Sequence, residues 1–421
     1  MKRTFKTILA AVLVIAAVVS CEKEEKNYVS TVSVKVNFPS DFKAGAAYNG
    51  EVVLNDQFNT NTLTATAVNG VATFEKVPFG VYSASASSTI SAADFQAIAP
   101  ESAANVKSDI SVNGFLKDIT LDTEECSATV YSFDLKWSAS SSLVISKIYN
   151  FGTLNLAKKA YSKDKYIEIY NNSDKTQYMD GLFIGEAYGS AVSASVYDVE
   201  ADVVYLQRVV KFPGTGNQYP VEPGKSVVVA MNAVNHIDAE VITQTVDLSG
   251  ADFECYVEGA TSFFPSDNAS VPNMEQAYAA NTYCAKFLAG QGTIPVLFKM
   301  TDTEFEALET PVAPGTDAYG AAYAYYCKAV PSSAVLDAVD IYRKAYANRK
   351  GRHISLALDA AHAVVDQAMI AERKIDYTAA DGRIVLKDTN NSDIDFVTIE
   401  PRTEGGADHL TPKDYTKPEI Q

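Results

Sequence analysis

Short runs in which every second residue is apolar recur along the chain, and this period limits the fold more than any other feature. From Thr31, apolar Val32, Val34, Val36 and Phe38 alternate with other residues until Pro39-Ser40-Asp41 closes the run. Strand side chains point alternately to opposite faces, so this spacing describes a strand buried on one side and wet on the other. Further strands are expected at Glu51 to Leu54, Leu63 to Val68, Val71 to Phe74 and Val81 to Ser87. Asn55-Asp56, Asn69-Gly70 and Pro78-Phe79-Gly80 separate them. Asn69-Gly70 predicts a hairpin, because both residues tolerate the positive φ of a two-residue turn. Short strands with turns about every 8 to 12 residues argue for a β-sandwich.

The first residues carry an address. Lys2, Arg3 and Lys6 precede an apolar run from Ile8 to Val19, and Val18-Val19-Ser20-Cys21 ends it, a stretch too short to span a bilayer. The segment resembles a bacterial lipoprotein signal. The resemblance implies removal of residues 1–20 and acylation, palmitate included, of Cys21, with several acyl chains giving a durable membrane anchor. Cys21-Glu22-Lys23-Glu24-Glu25-Lys26 resembles the lysine-plus-acidic tags that carry lipoproteins of some Gram-negative anaerobes to the outer face of the outer membrane. An ordinary solvated tether over residues 21–30 is the alternative reading.

Formal net charge is -17, from 35 basic and 52 acidic residues. Without residues 1–20 it is about −20, which repels phosphate and argues against a nucleic-acid partner. The mature length exceeds one ordinary core, so two or three domains are expected. Beyond Cys21, Cys126, Cys255, Cys284 and Cys327 permit two disulfides with three pairings, or free buried thiols; no CxxC spacing favours a metal.

The run Gly70-Val71-Ala72-Thr73-Phe74-Glu75-Lys76-Val77-Pro78-Phe79-Gly80-Val81-Tyr82 resembles the end of a prealbumin-like or carboxypeptidase-regulatory-like module, which implies a spacer or docking sandwich over residues 31–137. Ser138-Ala139-Ser140-Ser141-Ser142 marks a flexible boundary. Lys165-Tyr166-Ile167-Glu168-Ile169-Tyr170-Asn171-Asn172-Ser173-Asp174, then Met179-Asp180-Gly181-Leu182, is similar to the lamin-tail domain, an immunoglobulin-like sandwich. Val221-Glu222-Pro223-Gly224-Lys225-Ser226-Val227 resembles its later Pro-Gly turn. Further stretches, among them Val246-Asp247-Leu248-Ser249-Gly250, Leu336-Asp337-Ala338-Val339 and Asp381-Gly382-Arg383-Ile384-Val385-Leu386, resemble an uncharacterised family of bacterial surface lipoproteins.

The expected architecture is mostly β. A prealbumin-like sandwich is followed by a lamin-tail-like sandwich over residues 143–400, with an insertion at about 252–317, short helices and a loose tail at 401–421. Thr301-Asp302-Thr303-Glu304 is a capping box and predicts one such helix.

Catalytic motifs are sparse. Pro223-Gly224-Lys225-Ser226 mimics a phosphate-loop ending, but Tyr219 replaces its first glycine and a strand follows. Gly214-Thr215-Gly216 lacks the third glycine of a dinucleotide fingerprint, and neither GxSxG nor HExxH occurs. His236, His353, His362 and His409 form no recognisable pair, and His236, in a turn after a buried strand, is expected to bond backbone. In Asp388-Thr389-Asn390-Asn391-Ser392-Asp393-Ile394-Asp395, Asp388, Asn390, Asp393 and Asp395 offer alternating oxygens of the kind calcium takes. Asx side chains bracing a turn explain the same residues. Tyr319, Tyr323, Tyr325 and Tyr326 offer a ligand-binding face or sheet packing.

The resulting expectation is a non-enzymatic, lipid-anchored binding protein with no cofactor unless calcium occupies that loop. It faces the cell exterior and serves an outer-membrane nutrient or metal uptake system beside a transporter. A structural or adhesive surface protein is the alternative, and a hydrolase built from loop carboxylates the third.

Overall fold

The computed structural model describes residues 27–400 apart from 57–61, 106–109, 140, 155–156, 158, 162, 200–201, 237–245, 260–266, 281–286, 289–291, 316–324 and 348–350. Cys21, the tether's first six residues, Cys284, Tyr319, Tyr323, His409 and the tail at 401–421 therefore lie outside the described residues.

The first alternating runs become β1 (Tyr28–Asn37), β2 (Glu51–Asp56), β3 (Thr62–Thr66), β4 (Val71–Pro78) and β5 (Gly80–Ile90). Helix α1 (Ala92–Ile98) follows, then β6 (Ile110–Leu121), β7 (Val130–Asp134) and β8 (Lys136–Ala139). They form two sheets, β4-β1-β7 and β3-β2-β5-β6-β8. Val32, Val34, Val36, Leu54, Tyr82 and Val112 fill the space between. In β4, Ala72, Phe74 and Val77 face this core and the remaining side chains face outward, with the period slipping by one at Glu75-Lys76, where Lys76 takes φ 52. Strand β1 is antiparallel to β4 and parallel to β7, with Asn37 beside Asp134.

The Asn69-Gly70 turn forms, with φ of 51 and 80. Val68 and Val71 exchange both backbone bonds across it, at 2.9 and 3.2 Å. The expected hairpin ends there, because β3 joins β2 in one sheet and β4 joins β1 in the other. Contacts from outside hold the turn. Gly70 N–H donates to the Tyr48 carbonyl, Val36 N–H to the Gly70 carbonyl and Asn69 N–H to Asn49 Oδ1. A Cβ at Gly70 would stand 2.9 Å from the Val36 carbonyl oxygen. Across Pro78-Phe79-Gly80, the Tyr82 hydroxyl donates back to the Pro78 carbonyl at 2.9 Å. Helix α1 was not expected. Ser91 caps it through Asp94 N–H, and Phe95 buries itself 5.7 Å from the Phe42 ring and 4.7 Å from that of Trp137.

The chain continues through β9 (Leu143–Tyr149), β10 (Tyr166–Asn171), β11 (Gln177–Tyr178), β12 (Phe183–Ala187), β13 (Val203–Lys211), β14 (Pro220–Val221) and β15 (Ser226–Ala230). Next come β16 (Phe253–Glu254), β17 (Glu275–Ala279), β18 (Pro295–Phe298), α2 (Asp302–Ala307), β19 (Lys328–Pro331), β20 (Val335–Ala338), β21 (Ile341–Arg343) and β22 (Ala363–Val365). The last are β23 (Ile370–Arg373), β24 (Ile375–Thr378), β25 (Ile384–Leu386), α3 (Ser392–Asp395) and β26 (Phe396–Ile399).

Two sheets, β16-β15-β10-β9-β23-β26 and β17-β13-β12-β18-β20 with β19 on β13, enclose a core that includes Ile145, Ile167, Ile169, Phe183, Leu206 and Phe298. The fold is thus mostly β, as expected. Residues 252–317 supply β16, β17, β18 and α2, so this stretch completes both sheets instead of standing apart from them. The Thr301 capping box starts α2 and buries Phe305.

The two stretches that resembled a lamin tail are bonded to each other. Gly224 N–H donates to the Asn171 carbonyl at 3.0 Å, and Asn171 N–H to the Lys225 carbonyl at 2.8 Å. Asp180 accepts backbone N–H bonds from Gly216, Gln218 and Tyr219, so Asp-Gly-Leu fixes the 214–219 loop.

Strands β9, β10 and β12 are buried on both faces. Tyr149, Tyr166 and Val228 pack outside the first of these sheets against Val246, Leu248 and Val271. Tyr170 packs with Val144 and Leu386 under the β24–β25 hairpin, and its hydroxyl donates to the Ile384 carbonyl at 2.7 Å.

Candidate functional site

The 388–395 loop is organised around an arginine. Arg373 on β23 is buried, and its guanidinium bonds Asp337 at 2.8 Å, Asp388 at 3.1 Å and Asp395 at 3.4 Å. Its Nε donates to the Ile145 carbonyl at 3.0 Å, and the group lies 4.7 Å from the Phe396 ring centroid. Asp395 also accepts from Thr389 N–H and Oγ1 at 2.8 and 2.7 Å. Asn391 caps α3 through Ile394 N–H, Asn390 takes φ 52, and Asp393 is exposed. Of the four expected calcium ligands, two thus turn to a guanidinium, and the turn reading accounts for the segment. Among the described residues no group of three or more His, Cys, Asp or Glu is placed to hold a metal ion. Burial raises the Asp337 carboxyl, and it raises Asp395 to about 6, because one guanidinium serves three carboxylates.

A second ionic group lies beside it. His353 Nδ1 meets Asp340 Oδ1 at 2.5 Å, while Nε2 faces the Ser190 and Ser193 carbonyls, each at 2.9 Å. Both nitrogens face acceptors, so both carry protons and the ring is an imidazolium. Burial opposes that charge, but Asp340 outweighs it and raises the His353 pKa. Burial likewise opposes ionisation of Asp340, and His353 outweighs it, holding the carboxyl below its usual range. Asp359 accepts from Asp340 N–H at 2.7 Å, Ser392 N–H at 2.7 Å and the Ser392 hydroxyl; burial pushes it up to about 8. Tyr342 stands between His353 and His362, 4.8 Å from each. A general base needs a nitrogen free to take a proton, and His353 has none. His236 donates from Nε2 to the Asn232 carbonyl at 3.1 Å, the backbone bond its turn implied, and accepts at Nδ1 from the Tyr161 hydroxyl at 2.9 Å.

The tyrosines gather where β13, β17 and β19 meet. Tyr197 stacks on Tyr205 at 4.2 Å, and Tyr188 meets the edges of Tyr197 at 5.2 Å and Tyr325 at 5.6 Å. The Tyr278 hydroxyl donates to the Tyr326 carbonyl, and Lys328 Nζ lies 5.7 Å from the Tyr278 ring centroid. Tyr325 is part of this packing, whereas Tyr326 is 52% exposed and Val312, bridged to it, is 46% exposed. Of the four expected tyrosines, one therefore packs and one faces solvent. Sequence reading missed Tyr188, Tyr197, Tyr205 and Tyr278, which strand order brings together from distant positions. Among the described residues, Cys126, Cys255 and Cys327 form no disulfide.

These features define a β-sandwich protein with buried ion-paired clusters and a packed tyrosine cluster that is exposed at Tyr326. A domain of the family described as protein of unknown function (DUF4876) is found at residues 222–403. The match begins at the Pro-Gly turn, so β9 to β14 precede it although they pair into the same sandwich. A crystal structure of a DUF4876 family protein from Bacteroides thetaiotaomicron VPI-5482 is similar over 90% of this chain and 97% of that chain, with TM-score 0.52 and 21% sequence identity. That likeness concerns the fold. Together the two findings support an uncharacterised family, and the comparison with curated proteins gave no match.

Proposed function

We propose that the chain is a lipoprotein acylated at Cys21, displayed on the outside of the outer membrane, and that it works by binding as an accessory to a nutrient or metal uptake system. The observation that carries the binding reading is the tyrosine surface. Tyr326 and Val312, bridged to each other through the backbone, are exposed next to the packed tyrosine cluster, and an exposed tyrosine offers a partner flat amphipathic area. Arg373 with Asp337, Asp388 and Asp395, and His353 with Asp340, have buried side chains engaged with one another, and this reading puts recognition at the surface. The first sandwich suits a spacer. The chain enters it at Tyr28, leaves at Ala139 beside Ile110, and β1 and β6 run the length between those ends. Ten residues of β1 correspond to about 33 Å of lift. In this reading the prealbumin-like module holds the lamin-tail-like module away from the lipid.

The experiment is recovery of partners with the tagged, lipidated chain from gently solubilised native outer membranes. A transporter barrel at near-equal amount, lost with Tyr326→Ser while the chain's melting temperature holds, is the expected result. Recovery of the chain alone or with surface polymer sinks the uptake reading. Adhesion draws support from the outer face of β2, β3 and β5, where Thr64, Thr66, Ser85, Ser87 and Asn55 surround Glu51 and Val53 and make a largely polar face. A Cys21→Ala chain that still carried lipid would remove the anchor.

A further inference from the structure

We infer that the first sandwich carries a binding cleft for a small organic acid, a carboxylate on an apolar body, at the Asn37 end of β1. The cleft has a volume of about 320 Å³, within the range of small-ligand sites, and is lined by the end of β1, the 38–47 loop and the Asn69-Gly70 turn. Its apolar part is half-buried Phe38, which is backed by the buried Phe42 ring stacked on it with centroids 4.8 Å apart. Its charged part is Lys35 and Lys43, both exposed and lining the cleft. No described carboxylate forms an ion pair with either lysine, in a chain of net charge -17.

Nearby acids are engaged elsewhere. Asp134 accepts from Asn37 Nδ2 at 3.0 Å, and Asp41 Oδ2 accepts from Trp137 Nε1 at 3.0 Å and from the Ser102 hydroxyl. A carboxylate entering the cleft would meet two exposed cations, neither of them in an ion pair with a described carboxylate, while its apolar part would lie against the exposed part of Phe38. A neutral body would lose the first gain and a bare inorganic anion the second.

The cleft is also held open by bonds independent of any ligand. Lys43 N–H donates to the Ile98 carbonyl at 2.7 Å, Phe42 N–H to the Pro39 carbonyl at 3.0 Å, and Ala46 N–H to the Lys43 carbonyl at 3.0 Å. Val36 N–H to the Gly70 carbonyl at 2.7 Å fastens the opposite wall. Gly45, at φ 89 with nothing within 4 Å of a built Cβ, leaves the rim low. A preformed site binds without the cost of ordering its walls. None of these residues belongs to the tyrosine surface, so this site and the proposed accessory role stand or fall separately.

The test is calorimetric titration of the full chain with 3-phenylpropionate and, separately, with 3-phenylpropionamide, which has nearly the same shape without the charge. The acid is expected to bind, the amide about tenfold more weakly, and the acid's affinity to fall as salt is raised. Lys35→Gln with Lys43→Gln should weaken the acid to the level of the amide while the melting temperature stays unchanged, since both side chains are exposed. Equal affinity for acid and amide, an undiminished response in the double variant, or no acid binding at millimolar concentration would each overturn the assignment. If the double variant melts early, Ala44→Trp, at an exposed position that lines the cleft and lies outside the positive-φ region, supplies an independent block and should abolish the acid signal.

Discussion

The two sandwiches solve the same packing problem with different chemistry. The first largely follows its period, with β4 alternating between core and water except at Glu75-Lys76, where both side chains face out, and an interior that includes Val, Leu, Phe and Tyr. The second buries β9, β10 and β12 on both faces and admits ions: Arg373 with three aspartates, His353 with Asp340, and Lys147 set between Glu168 and Glu372 at 3.6 Å each. An apolar core is tolerant, because a lost methyl group costs only its own burial and cavity. An ionic one is intolerant, because losing one partner strands the others away from water. Arrangement in the second sandwich is thus specified by pairings as well as by hydrophobicity.

The sharpest way to break this contrast is Arg373→Met. It strands Asp337, Asp388 and Asp395, and denaturant unfolding should show a loss of about 3–5 kcal/mol. A loss below about 1 kcal/mol would mean that the carboxylates protonate at little cost. In the first sandwich Leu54→Ala should cost about 2–5 kcal/mol from cavity formation, equally at pH 5 and pH 8. A pH-dependent loss there would blur the distinction.

Acidity separates the regions further. Unfolded Asp359 ionises near pH 4, whereas in the fold it keeps its proton to about 8. Its contribution is therefore present below pH 4 and is lost as pH rises toward 8, because the unfolded state releases its proton first. His353, with its raised pKa, acts in the same direction as pH rises above its unfolded value near 6.5, and Asp340, held low, acts only at the acid end. Melting temperature should fall from pH 5 to pH 8, and Asp359→Asn should flatten that slope; an unchanged slope would reassign it to other groups. The smallest expected effect is Thr301→Ala, about 1 kcal/mol from the lost cap of α2, read by the same unfolding measurement.

Legibility in the sequence follows the same division. Strands β1, β2, β4 and β5 could be read because one face of each is wet, and α2 because Thr301 and Glu304 sit three apart. The Asn69-Gly70 turn was read in conformation but not in connection: local residues choose φ, whereas sheet membership depends on partners far along the chain. Helix α1 is signalled only by Ser91 and Asp94, three residues apart, and a seven-residue helix is too short to show a period of its own. The ionic clusters left no pattern. Asp337, Asp340, Asp359, Arg373 and Asp395 come from separate segments, and strands covered on both sides lose the alternation that would place them. Calcium was suggested for 388–395 because the loop shows oxygens in a row while its cation, Arg373, lies outside it. Of the tyrosine surface, only the 319–326 run was visible locally.

The direction of β1 has a mechanical consequence. Chain enters at its Tyr28 end, and β7, its parallel neighbour, leads through β8 toward the second sandwich from the opposite end. Tension between the two ends of the first sandwich therefore drags β1 and β7 past each other along their length. Their rungs, from Ser33–Val130 to Asn37–Asp134, must yield together and not one after another. Such shear geometry resists pulling far better than peeling, so tension applied between the two ends of the module is expected to leave it folded.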